Sequence, residues 1–300
     1  MGFETVACDY CASRSHIRLF DIHESPDVRQ PVAWRGTAAI PVVRCQQCGL
    51  VFLNPRYDDA HLTALYQDPQ TFISTIDPEG KRRSISTERA QRVARFYTDV
   101  IALQKKRLSG RLLDVGCGLG FFLEAIGEKY NATGLEWSHP AIEMSGGLQL
   151  NIVEDRFPSH PFANGEFDIV TFHNTLDHLP APIGSLQVAH NLLKKGGLLM
   201  LTLVNFNSIA ARVYGPGYRL LGVNHLYYFT PATLKNAFKR VGFHLENIEY
   251  PYFGSDVSHP VEHTRKIISD WLSSKFLRRK EVRTSPPFYG NMMRVFAVSI

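Results

Sequence analysis

The sequence predicts an α/β protein: a doubly wound, seven-stranded sheet preceded by a small β-rich, zinc-ribbon-like module. Three observations carry this. From Leu108 onward, short apolar runs alternate with segments of helical period, the pattern of a mostly parallel sheet covered on both faces. A strand–glycine–helix passage, Arg111-Leu-Leu-Asp-Val-Gly-Cys-Gly-Leu-Gly-Phe-Phe-Leu-Glu-Ala125, opens that region. Ahead of it, four of the five cysteines stand as two C-x-x-C pairs, Cys8/Cys11 and Cys45/Cys48.

Residues 1–56 form the cysteine module, rich in β-branched residues and closed by Asn54-Pro55. Two turns that each aim two thiolates at one point supply the tetrahedral set that structural Zn2+ prefers. A redox C-x-x-C would need a helix start within a βαβ unit, which neither pair has. Cys117, between glycines, is expected to be a small buried filler. Residues 57–107 read as a helical linker or lid, with loops at Asp68-Pro69 and Asp77-Pro78-Glu79-Gly80. Within it, a helix from Ser84 to about Leu108 sets Ala90, Val93, Ala94, Tyr97, Val100 and Ile101 at helical spacing.

Residues 108–300 form the third unit. Strands are expected at Leu112–Val115, Ala132–Glu136, Asn151–Val153, Phe167–Phe172, Leu198–Val204, His244–Tyr250 and Met293–Ser299. Helices are expected at Leu119–Lys129, Pro182–Lys194 and Pro231–Val241, the last two stopped by Gly196-Gly197 and Gly242. An inserted segment, 255–287, carries a helix whose Ile267, Ile268, Trp271, Leu272 and Phe276 oppose basic residues. A lid or dimer contact suits such a helix better than a membrane surface, so peripheral membrane contact is the lesser reading.

Glycines at Gly116, Gly118 and Gly120 let the backbone turn tightly and approach a ligand. A dinucleotide fingerprint would place its third glycine at 121, where Phe121 stands. The pattern is instead Asp114-x-Gly116-x-Gly118-x-Gly120. It resembles the first motif of class I S-adenosylmethionine-dependent methyltransferases, whose sheet is Rossmann-like and ends with an antiparallel seventh strand. Glu136, at the end of the second strand, suits a carboxylate that accepts hydrogen bonds from both ribose hydroxyls. Trp137 beside it is placed either to lie on the adenine or to pack. The resemblance implies further roles: Asp155, with Glu154 as the substitute, toward the adenine amino group, and Asp114 with the loop holding Asn174 toward the amino-acid end of the donor.

The resemblance spans about Leu112 to Val241 and includes His225-Leu-Tyr-Tyr-Phe-Thr-Pro231-Ala-Thr-Leu234, a phrase found in methyltransferases that also carry an N-terminal zinc module. Sugar C-methyltransferases of this kind usually have a Glu-His pair and a longer C-terminal half, whereas this sequence has Asn224-His225 and runs to Ile300. O-methylation of a small-molecule or carbohydrate-like acceptor is therefore favoured over C-methylation. A hydroxyl acceptor needs a proton removed, and His178 and His225 are the candidate catalytic groups. An RNA methyltransferase and a non-catalytic cofactor-binding scaffold are the alternatives. The first would call for a basic stripe, but the formal charge is only +5 and the basic clusters Lys81–Arg83, Lys105–Arg107 and Arg278–Lys280 are scattered, which counts against nucleic acid. A hydrophobic fraction of 44% and a charged fraction of 20% describe an ordinary globular chain. With no signal-peptide pattern and no apolar run near ~20 residues, a cytoplasmic monomer or homodimer is expected.

Overall fold

The computed structural model describes residues 2–23, 38–72, 85–146, 149–252, 258–276 and 284–300. The chain opens with β1 (Phe3–Glu4), β2 (His16–His23), β3 (Ala39–Cys45), β4 (Val51–Leu53) and β5 (Arg56–Tyr57). Helices α1 (Asp59–Tyr66) and α2 (Ile85–Gln104) follow. Strand and helix then alternate: β6 (Arg111–Val115), α3 (Phe121–Ile126), β7 (Asn131–Glu136), α4 (His139–Ser145), β8 (Ile152–Glu154), β9 (Phe167–His173), α5 (Pro182–Leu192) and β10 (Leu193–Val204). The last elements are α6 (Ile209–Tyr214), β11 (Tyr227–Tyr228), α7 (Pro231–Val241), β12 (Phe243–Glu249), α8 (Pro260–Phe276) and β13 (Met292–Ser299).

Seven strands form one sheet in the order β12-β13-β10-β9-β6-β7-β8. β6, β7, β8, β9 and β10 run parallel, and β13 is antiparallel to both β10 and β12. This is the doubly wound, Rossmann-like methyltransferase sheet. The chain leaves β6 in one direction through β7 and β8 and returns on its other side through β9, so the crevice for a ligand lies above the carboxyl end of β6.

The expected seven strands form within a residue or two of their predicted ends, apart from the start of β10. The helix expected over Pro182–Lys194 stops at Leu192, because Leu193, 4% exposed, is already paired with Phe167 of the sheet. Gly196 (φ +73°) therefore sits in the irregularity between Leu193 and Leu198 instead of capping a helix. The helix expected from Leu119 begins at Phe121, since Gly120 at φ +75° is left-handed. α2 buries Val100 and Leu103, with Val93 and Phe96 packed alongside, while Tyr97 and Ile101 are exposed, so its inner stripe is rotated from the expected one. α8 turns His263, Ile267 and Asp270 inward and leaves Ile268, Trp271 and Leu272 in solvent. Lys106 pairs with Glu246 at 3.1 Å, an ordinary surface contact. The loop at Asp77–Gly80 and the clusters Lys81–Arg83 and Arg278–Lys280 lie outside the described residues. No helix among the described residues is long and apolar enough to cross a membrane.

The cysteine module is not closed on itself. Its sheet runs β11-β4-β3-β2, so its edge strand comes from the far end of the sequence, with Tyr227 opposite Phe52 and Tyr228 opposite Val51. The Leu53 N–H extends the seam by donating to Leu226 O at 3.0 Å. Arg56 is buried and donates to the Tyr227 hydroxyl and to Pro180 O, both at 3.2 Å. Cys8, Cys45, Leu50 and Phe52 share one apolar cluster with Leu113, Phe172, Leu199 and Phe238 of the large sheet and its helices.

Asp9, between two cysteines, caps a helix of the other unit. α5 has no side-chain cap of its own at Ala181, and the Ile183 N–H donates instead to Asp9 Oδ2 at 2.7 Å. Asp9→Ala is expected to lower stability by about 1 kcal/mol, the usual worth of such a cap, with Asp9→Asn retaining most of it. Urea unfolding of the two variants beside the parent chain measures this, and an unchanged midpoint for Asp9→Ala would refute the docking role.

Candidate functional site

A cavity of about 660 Å³ opens above the carboxyl end of β6. Asp114, Gly116, Gly118, Glu136, Trp137, Asp155, Asn174, His178 and His225 all line it. Gly120 does not. A Cβ there would lie 2.2 Å from Leu150 Cδ1, so this glycine makes room for the segment leading into β8. At Gly116 a Cβ would meet Thr175 Cγ2 at 2.4 Å, which keeps the loop after β9 close to the cradle. Gly118 (φ +54°) has nothing within 4 Å of its Cβ position, leaving bare main chain toward the cavity.

Two acids stand at adjacent strand ends. The Asp114 carboxylate is 1% exposed and accepts from Thr171 Oγ1 at 2.7 Å. Burial, with help from the charge of Glu136, pushes its pKa up to about 7. Glu136 accepts the N–H groups of Trp137 (2.9 Å) and Ser138 (2.8 Å) on Oε1 and that of Gly118 (2.8 Å) on Oε2. Burial raises its pKa, and these three N–H groups oppose the rise. Of roughly four acceptor positions on a carboxylate, three are thus occupied by the chain itself. One position on Oε2 is open to a ribose hydroxyl, and a second hydroxyl bond requires displacing the Gly118 N–H. Trp137 carries the Arg156 guanidinium 4.3 Å from its ring centre, and Arg156 also pairs with Asp59. Asp155 is fixed by its N–H to Glu136 O (3.0 Å) and by accepting from Ser159 Oγ (3.1 Å). Asn174 (φ +53°) donates its N–H to Thr202 O at 2.8 Å. Open main chain at Gly118 and two buried acids without a cationic side chain fit a cationic, ribose-bearing ligand such as S-adenosylmethionine.

The two histidines meet, with ring centres 4.3 Å apart. Asp177, sequence neighbour of His178, pairs instead with His225: Oδ2 lies 2.7 Å from Nδ1. Burial pushes the Asp177 carboxyl up, but the two imidazoles and the hydrogen bond from His225 outweigh it and hold it below its ordinary value. His178 Nδ1 lies 2.8 Å from the Tyr66 hydroxyl and 3.3 Å from Asn224 Nδ2. Desolvation, then the charge of His225, lowers the His178 pKa to about 4, so the ring is neutral near pH 7. Burial raises the Tyr66 pKa, so its hydroxyl keeps its proton and donates to Nδ1. His178 is then the Nε2–H tautomer, and His225 turns Nδ1 toward Asp177. Sequence reasoning missed Tyr66, because α1 has no motif and only a helical turn brings that residue over the cavity.

In the N-terminal module, Cys8 Sγ lies 3.4 Å from Cys48 Sγ and Cys11 Sγ 3.5 Å from Cys45 Sγ. The four donor atoms are all within 4.8 Å of one another. Four thiolates at about 2.3 Å around zinc would be about 3.8 Å apart, so small outward movements accommodate the ion. Burial pushes the Cys8 thiol up to about 11 and raises Cys48 further. For Cys45 burial also raises the pKa, but the N–H groups of Cys48 and Gln47 outweigh it and bring it to about 7. Raised thiol pKa values in so tight a group fit a site completed by a cation.

A family model described as a methyltransferase domain matches residues 86–248. Similar curated relatives include ubiquinone biosynthesis O-methyltransferases. That of Haemophilus ducreyi is 32% identical over 141 residues, 43% of this chain and 58% of the relative. That of Pectobacterium carotovorum is 31% identical over 108 residues, 33% of this chain and 45% of the relative. The chain thus spans about half the length of the curated relatives it matches. Among solved structures, a chain of the complex containing the Haloferax volcanii Trm112 methyltransferase activator aligns with a TM-score of 0.54 at 14% identity, over 72% of this chain and 94% of that one. A SAM-dependent methyltransferase of Thermotoga maritima aligns with a TM-score of 0.50 at 19% identity, over 72% and 95%. At these identities the two structures speak for the fold alone. The family match takes in more than half of the chain and includes the glycine cradle and both acidic strand ends, and the chain belongs to the S-adenosylmethionine-dependent methyltransferase domain family.

Proposed function

We propose that this chain transfers a methyl group from S-adenosylmethionine to a hydroxyl of a small-molecule or sugar-like acceptor. One observation carries the reading: a single cavity holds both the acid-lined glycine cradle and the His225 imidazole, whose Nδ1 is paired with Asp177. The names of the O-methyltransferase relatives favour oxygen over carbon. When bound, S-adenosylmethionine supplies an electrophilic methyl group on a positively charged sulfur.

In this reading Glu136 and the Gly118 main chain hold the ribose, and Asp155 faces the adenine. Asp114 and the loop at Asn174 hold the amino-acid end. His225 Nε2 takes the proton of the acceptor hydroxyl while Asp177 stabilises the imidazolium that forms. His178, neutral and fixed by Tyr66, donates Nε2–H toward the acceptor and orients it. Cys8, Cys11, Cys45 and Cys48 hold a structural zinc, and the seam between β4 and β11 passes that order to the loop bearing His225.

Glu136→Ala should weaken S-adenosylhomocysteine binding at least about tenfold, the worth of one or two lost hydrogen bonds to a charge. Calorimetry reads this directly, and undiminished affinity would sink the donor site. The pH dependence has a definite sign. An ammonium group binds the ionised form of Asp114, so affinity should climb as pH rises from 5 to about 7 and level off above. The slope approaches tenfold per pH unit below that pKa, and Asp114→Asn should abolish it. In a panel of hydroxyl-bearing small molecules assayed for S-adenosylhomocysteine release, His225→Ala should cut turnover by about 10²–10⁴ with donor affinity retained. Undiminished release by that variant excludes His225 as the base. Elemental analysis should find one zinc per chain, lost in Cys45→Ser, and a metal-free parent protein would remove the zinc assignment.

A further inference from the structure

Asp177, His178 and His225 form a second tight group of metal-ligating side chains among the described residues, the four cysteines being the first. One donor atom from each of the three lies within 4.8 Å of the other two. The imidazole centres are 4.3 Å apart, and Asp177 Oδ2 is 2.7 Å from His225 Nδ1. The carboxylate is 1% exposed, and its other oxygen, Oδ1, is buried with no hydrogen-bond partner among the described residues. A buried carboxylate oxygen left bare costs free energy that a cation would recover. Both imidazoles line the cavity of about 660 Å³, so an ion reaches the group from there.

The donor set selects the ion. Two imidazoles and one carboxylate suit zinc, nickel, copper and iron, whereas magnesium and calcium prefer ligands that are all oxygen. Nitrogen and oxygen donors stand about 2.0–2.2 Å from such an ion and so about 3.4 Å from each other, and small side-chain rotations close the group to that spacing. An outer partner is also in place. With an ion on His178 Nε2 the ring proton moves to Nδ1, and the Tyr66 hydroxyl at 2.8 Å turns from donor to acceptor. Asn224 meets the same nitrogen at 3.3 Å, and its amide can turn its oxygen there instead.

We propose that Asp177, His178 and His225 form a second metal site, which takes a divalent transition ion such as Zn2+ or Ni2+ and shuts off methyl transfer while the ion is bound. Binding of the ion stands on the three side chains alone. The shut-off rests on the methyl-transfer reading, because the ion occupies the imidazole and the carboxylate that receive the acceptor's proton. Donor binding persists, since Asp114, Glu136 and the Gly118 main chain lie outside the group.

The test titrates Ni2+ by calorimetry into zinc-saturated protein loaded with S-adenosylhomocysteine. One nickel ion should bind per chain with the zinc content unchanged. His178→Ala, His225→Ala and Asp177→Asn should each weaken nickel at least about tenfold, while a change of less than twofold in S-adenosylhomocysteine affinity shows that the fold is kept. His139→Ala is the control. That imidazole is exposed, 3.3 Å from Glu143 and 3.4 Å from Glu154, a surface group of similar chemistry, and its loss should leave nickel affinity unchanged. No nickel binding, binding that survives any of the three cluster variants, or binding lost with His139→Ala would each overturn the site. So would zinc expelled as nickel enters, or magnesium binding as tightly as nickel. In the acceptor panel, S-adenosylhomocysteine release should fall at least about tenfold at saturating nickel and return when nickel is dialysed away, and full release from the nickel-bound protein would overturn the shut-off. A panel in which no acceptor is methylated counts against the methyl-transfer reading, while the nickel titration still judges the metal site.

Discussion

Two carboxylates, Asp114 and Glu136, sit buried at the ends of neighbouring parallel strands with no cationic side chain among the described residues to balance either one. Burying an acid without a charge partner is costly, and most folds avoid it. Here the cost is held down by hydrogen bonds alone: Thr171 Oγ1 on Asp114, and three main-chain N–H groups on Glu136. The N–H of Gly118 reaches that carboxylate because residues 116–118 are tightly wound, with Gly116 and Gly118 both at positive φ, while those of Trp137 and Ser138 follow directly from the strand end. Cradle and acids therefore specify each other. What the pair lacks is positive charge, which in the proposed reading a sulfonium with an ammonium group would supply. In that reading, the features that make the site an electrostatic liability when empty would favour such a donor.

The acceptor end is built from distant parts of the sequence. His225 stands two residues before β11, and β11 is the edge strand of the cysteine module's sheet. Asp177 follows β9, and Tyr66 ends α1. Asp9 caps α5 from between Cys8 and Cys11, while Arg240 donates to Tyr10 O and stacks on its ring. Through these ties the module fixes the backbone on which the candidate base is mounted. A module that merely hung from the large sheet would share no core with it, yet Cys8 and Cys45 belong to the same apolar cluster as Leu113 and Leu199.

The sheet was legible because its signals are local. Alternating apolar runs, glycine breaks and a 300-residue length leave few other ways to bury so much apolar surface. The donor end was legible for the same reason: Asp114 and the cradle glycines lie within seven residues, and Glu136 ends the next strand. Misreadings arose where tertiary contacts overrode local preference. Leu193 joins the sheet despite following a helix, and the buried stripe of α2 is chosen by α3 and the sheet, not by its own periodicity. Nothing in the run Tyr227-Tyr228 indicates that it pairs with a strand some 175 residues earlier, since strand pairing over such a separation leaves no local mark. Tyr66 was hidden for a similar reason, as a single side chain on an unremarkable segment.

The ranking of the two histidines shows what only geometry can add. In the sequence, Asp177 stands directly beside His178. Adjacent residues on a single turn rarely face each other, and the carboxylate instead reaches across to His225 at 2.7 Å. That leaves His178 with a phenol and an amide, neither of which offsets the burial and the charge of His225 that bring its pKa to about 4. Only one imidazole has an anion behind it, so only one can accept a proton at neutral pH without leaving a bare buried cation. One such base would match the single proton that leaves the hydroxyl acceptor proposed above. The presence of Asn224, where an acid would have given His178 a partner of its own, keeps the second imidazole neutral and available as a hydrogen-bond donor.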